Sequence, residues 1–74
     1  MRRIVNAAKA CLDNPSQEDI VRLSEAVKGL RRQLWSERGL RLIDAAMLYS
    51  QHALKGWTRG SLQDQLAVAV KNYR

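Results

Sequence analysis

Ser16-Gln17-Glu18-Asp19-Ile20-Val21-Arg22-Leu23-Ser24-Glu25-Ala26-Val27-Lys28-Gly29-Leu30 is the stretch whose reading decides the fold, and Arg31-Arg32-Gln33-Leu34 continues it. A serine followed three residues later by an acid is a helix-start pattern, because the hydroxyl accepts from the amide three positions on. Pro15 and Ile20 occupy the two apolar staple positions around that cap. From Ile20 the residues Leu23, Val27, Leu30 and Leu34 follow at spacings of 3, 4, 3 and 4, which is a coiled-coil-like a/d seam over two heptads. The pattern predicts a second helix over residues 17–38, closed by Gly39 as the left-handed residue beyond its end. Gly29 lies inside this run at a cost of about 1 kcal/mol against alanine. It falls off the seam, and close approach of another backbone is one reason to place it there.

The same helical period extends in both directions. Upstream, Ile4, Ala8 and Cys11 fall on one side of a short first helix over residues 3–12, stopped by Asp13-Asn14-Pro15 because proline disfavours helix in the residue before it. Downstream, Leu42, Ile43, Ala46, Met47, Tyr49, Ser50, Ala53 and Leu54 define a wide face on a third helix over residues 40–55, wide enough to touch two neighbours. Gly56-Trp57-Thr58-Arg59-Gly60 reads as a turn. Ser61-Leu62-Gln63-Asp64 repeats the capping pattern, and Leu62, Leu66, Ala69, Val70 and Tyr73 line a fourth helix over residues 62–73. No useful stretch alternates apolar and polar residues as a half-buried strand does. The expectation is one all-α domain spanning residues 1–74: a small bundle of three main helices plus a short N-terminal one.

At 74 residues such a domain buries only about 60% of its unfolded surface and needs help from disulfides, metal, oligomerisation or close helix packing. One cysteine and one histidine provide neither a disulfide nor a Cys/His zinc site, so no metal and no cofactor is expected. Two copies of the second helix packed antiparallel would set its acidic start against its basic end. The seam therefore leads to the expectation of a homodimer, with burial of the seam inside one chain as the alternative. The lone thiol fits a reducing compartment. No signal-peptide core or membrane span is recognisable, and the chain is expected to be cytoplasmic with no membrane partner.

The formal charge is +6, from 13 basic and 7 acidic side chains. It is unevenly placed. Residues 13–25 hold four acids against Arg22, while residues 26–41 hold five bases against Glu37. Part of that gradient complements the helix dipole. The surplus gathers at Lys28, Arg31, Arg32, Arg38 and Arg41 around Trp35. Tryptophan and arginine together are the residue types that anchor interfaces, so these six residues are the candidate partner-binding patch. Trp57 and Arg59 are a candidate second contact, with Trp57 as a plug over the bundle end the simpler reading.

Catalysis is not expected. His52 lies on the polar side of its helix, Asp44 is two turns away, and neighbours two apart such as Ser50 do not meet on a helix. The four glycines match no phosphate-binding loop, and Cys11 reads as a buried, inert thiol. The sequence is accordingly read as a small non-enzymatic regulator of a size common on phages and plasmids, binding a protein partner that belongs to transcription or other nucleic-acid machinery. The alternative is a direct DNA-binding regulator using the same bases. The mixed charge suits a patterned protein surface better than a uniform phosphate backbone.

Overall fold

A computed structural model describes residues 2–30, 36–56 and 60–73. Four helices follow one another: α1 (Arg2–Asp13), α2 (Gln17–Lys28), α3 (Glu37–Ala53) and α4 (Ser61–Tyr73). No strand occurs among the described residues, so the all-helical expectation stands.

The start of α2 follows the sequence reading closely. The Asp19 amide donates to Ser16 Oγ at 3.2 Å, and the Ser16 hydroxyl donates in turn to Asp19 Oδ2 at 2.8 Å. Ser16 itself is extended, at φ −93° and ψ 154°, as a residue just outside a helix should be. Glu18 and Asp19 fill the first turn, where the helix dipole favours acids.

Its end does not follow that reading. α2 stops at Lys28, whereas the spacing had predicted a helix to residue 38. Gly29 is the residue that closes it, in a right-handed conformation (φ −81°, ψ −2°), with its amide donating to the Glu25 carbonyl at 3.2 Å. The Leu30 amide then reaches back to the Val27 carbonyl at 3.2 Å, the tighter three-residue closure common at helix ends. A new helix opens at Ser36, whose hydroxyl accepts from the Gly39 amide at 3.4 Å while Leu40 donates to the Ser36 carbonyl at 2.9 Å. Gly39 is thus buried in the first turn of α3 rather than capping α2. Glycine weakens α2 at residue 29, and Ser36-Glu37 offers a better start than residues 29–36 offer a continuation. Among the described residues no neighbouring backbone crowds Gly29. A Cβ there would meet only the carbonyls of Ala26 and Glu25 of its own helix, at 3.8 Å.

The turn after α3 uses glycine for its backbone. Gly56 (φ +95°) receives the chain after Ala53, to whose carbonyl its amide donates at 2.9 Å. Gly60 (φ +113°) precedes α4, and its carbonyl accepts from the Asp64 amide at 3.2 Å. The capping place before α4 therefore falls on Gly60, and Ser61, expected as the cap, is the first helical residue.

All four helices contribute to one core. α1 supplies Ile4, Ala8 and Cys11; α2 supplies Ile20, Leu23 and Val27; α3 supplies Leu42, Ile43, Ala46, Tyr49 and Ala53; α4 supplies Leu66 and Val70. α1 packs on α2, α2 on α3, α3 most extensively on α4, and α4 back on α1. The Cα radius of gyration is 10.8 Å, against about 11 Å for a compact chain of this length. Of the seam, Ile20, Leu23 and Val27 are buried and Leu30 is half-buried against the core. Leu34 lies outside the described residues.

Candidate interaction surface

The break between α2 and α3 redistributes the basic patch. Lys28 is exposed at the end of α2, while Arg38 and Arg41 are exposed in the first two turns of α3. The stripe that a continuous helix would have drawn from Lys28 towards Arg41 is therefore split between two elements. Arg31, Arg32 and Trp35, and with them Trp57 and Arg59, lie outside the described residues.

Arg38 and Arg41 border a groove that runs between α3 and α4 and measures about 880 Å³. Along α3 it is lined by Arg38, Arg41, Asp44, Ala45 and Leu48; along α4 by Asp64, Gln65, Val68, Ala69, Lys71 and Asn72. Helical geometry accounts for the α3 side. Arg38, Arg41, Ala45 and Leu48 are spaced 3, 4 and 3, a second stripe beside the one that faces the core. Leu48 is 43% exposed and Val68 57% exposed, so the middle of the groove is apolar and wet.

The charges around it are distributed by end. Arg38 and Arg41 from the start of α3 and Lys71 from the end of α4 stand at one end, while Asp64 in the first turn of α4 stands towards the other. Arg41 Nη2 donates to Glu37 Oε1 at 2.8 Å, one turn back on the same exposed face. Such i,i+4 pairs contribute only about 0.3–0.5 kcal/mol and leave the arginine free to re-pair. Asp44 is already engaged within the chain.

Leu48 and Val68 are the residues that sequence reasoning missed. The signal was present: each is a large apolar side chain that falls off the core-facing side of its helix, and a period-based reading discards what does not fit the stripe.

The other groups with chemical capacity lie inside the bundle. Cys11 is fully buried, and burial, with a smaller contribution from the charge of Asp19, pushes its thiol up to about 11. It therefore stays protonated at neutral pH, the form that is a poor nucleophile. Tyr49 is also fully buried, and its hydroxyl has no hydrogen-bond partner among the described residues. Ser50, buried beside it in sequence, satisfies its hydroxyl by donating to the Met47 carbonyl at 3.0 Å. Among the described residues no group of three His, Cys, Asp or Glu side chains is placed to hold a metal ion. No helix among them is long and apolar enough to cross a membrane.

No family model matches the chain, and no curated protein and no solved structure is found to match it.

Proposed function

We propose that this protein is a small non-enzymatic regulator that binds a protein partner, in transcription or another nucleic-acid process, through a basic helical surface. The surface comprises Lys28, Arg31, Arg32, Trp35, Arg38 and Arg41, with Trp57 and Arg59 as a second contact. One observation carries the reading. Arg38 and Arg41 do not stand on a uniformly basic face but border a groove whose middle holds the exposed Leu48 and Val68 and whose rim includes Asp44 and Asp64. A mixed surface of this kind resembles the centre and rim of a protein interface. A phosphate backbone would meet its acids unfavourably and gain little from its apolar centre.

Direct DNA binding is the competing reading, and a gel-shift titration with duplex DNA across a range of salt separates the two. The expected outcome is weak binding that disappears by about 0.2 M salt. Nanomolar binding that is steeply salt-dependent and lost on Arg31→Ala/Arg32→Ala would overturn the proposal in favour of DNA. A homodimer remains part of the same reading; the burial of Ile20, Leu23 and Val27 within a single chain favours a face other than the seam for it.

A further inference from the structure

Resting on that reading, we infer that the groove between α3 and α4 receives an acidic amphipathic helix from the partner protein, lying along the groove with its apolar stripe over Leu48 and Val68. The shape of the site selects a helix. Two helix edges flank a shallow channel floored by Ala45 and Ala69, and small side chains at that position let a third helix approach ridge into groove. No strand is present among the described residues, so an extended peptide would find no sheet edge for its backbone hydrogen bonds. A helix brings its own satisfied. α4 has 13 residues, about 20 Å of length, which accommodates a partner segment of three to four turns.

The charge of the site selects an acidic helix. With Asp44 engaged within the chain, Arg38 and Lys71, together with Arg41 in its exposed pair with Glu37, stand at one end of the groove against Asp64 towards the other. Arg38 and Lys71 form no ion pair among the described residues, so their charges are available. Complementarity calls for carboxylates at the end of the partner helix that meets these bases, and for a base or neutral residue near Asp64. A second copy of the chain fits less well. It would present the same three bases, and two bodies of formal charge +6 repel one another on approach.

The test uses the full chain and two labelled 14-residue peptides with the same leucine stripe at i, i+3, i+7 and i+10. One carries glutamates on the remaining positions and the other lysines. Fluorescence anisotropy is expected to show the glutamate peptide binding at least about tenfold more tightly than the lysine peptide. Leu48→Glu and Val68→Glu should each weaken it by about tenfold or more, the loss typical of a central apolar anchor. Circular dichroism should show both variants as folded as the parent, because both side chains lie outside the buried core and are already partly exposed to water. Arg38→Glu/Arg41→Glu should reverse the preference between the peptides. Equal binding of both peptides, no binding up to about 1 mM, or binding indifferent to Leu48→Glu and Val68→Glu overturns the inference. So does a dimer in sedimentation that Val68→Glu dissociates, which would assign the groove to a second copy. The two proposals fail differently. A protein partner that is lost on Arg31→Glu/Arg32→Glu but unaffected by Leu48→Glu removes the groove assignment alone. Tight duplex DNA binding removes the function on which it rests.

Discussion

Cys11 and Tyr49 are both buried in the core, and Cys11 affects the ionisation of Tyr49. Burial is the main cause that raises both; Asp19 adds to it for Cys11, and Cys11 adds to it for Tyr49. The sign of the consequence follows from proton counting. An unfolded chain releases the thiol proton near its ordinary value of 9.0, whereas the folded chain holds it to about 11. Between those two values the native state binds more protons than the unfolded state, so stability is intact below about pH 9 and falls as pH rises towards 11. Each group contributes a slope of at most about 1.4 kcal/mol per pH unit. Urea unfolding at pH 8, 9 and 10 should therefore show declining stability, with a shallower decline in Cys11→Ala and again in Tyr49→Phe. An identical slope in Cys11→Ala would reject the assignment. That Cys11 is buried was legible from its place on the Ile4–Ala8 side of the first helix. That the Tyr49 hydroxyl has no hydrogen-bond partner among the described residues was not legible, because a helical period places a side chain on a face but says nothing about what its far end meets.

The helices were legible where apolar spacing and a capping residue agree, as at Ser16. They were misread where a strong spacing ran through a weak backbone. Leu30 and Leu34 continue the 3,4 rhythm past Gly29, so the seam outweighed the glycine in the sequence reading. In the folded chain the cap at Ser36, a serine with Glu37 behind it, ended that continuity. Two glycines with opposite backbone demands test this account. Gly29 sits at φ −81° with free space for a Cβ, so Gly29→Ala should stabilise the protein by about 0.4–1 kcal/mol. Gly56 sits at φ +95° with equally free space, so Gly56→Ala should destabilise it by about 1–2 kcal/mol, purely through backbone strain. Thermal melts of the two variants should shift in opposite directions. A shift of the same sign in both would mean that the end of α2 or the turn after α3 is differently built.

For the molecule as a whole, the small size anticipated from the chain length is met by a core that draws on all four helices, and the dimension of 10.8 Å is that of a compact chain by itself. A domain of this length is stable by only about 4–11 kcal/mol. Leu23, fully buried, should cost about 2–5 kcal/mol on substitution by alanine, enough to bring the protein near its unfolding threshold. Leu48, on the groove, should cost no more than about 0.5 kcal/mol as Leu48→Ser. Chemical denaturation separates the two, and a loss at Leu48 comparable to that at Leu23 would show that α3 packs its groove side inward. The net charge was legible as a whole and by segment, yet its meaning was not. Which bases share a surface depends on where one helix ends and the next begins, and that was decided by Gly29 and Ser36.

The break between Lys28 and Ser36 also gives the molecule an order of assembly. It divides the chain into two hairpins, α1 with α2 and α3 with α4, each closed by a short connection. Local closures of this kind form faster than contacts between distant segments. During synthesis the first hairpin emerges and can collapse while the second is still within the ribosome. The groove belongs wholly to the second. The hairpin that holds the groove is thus made after the first, with α1 and α2 already available for it to pack against.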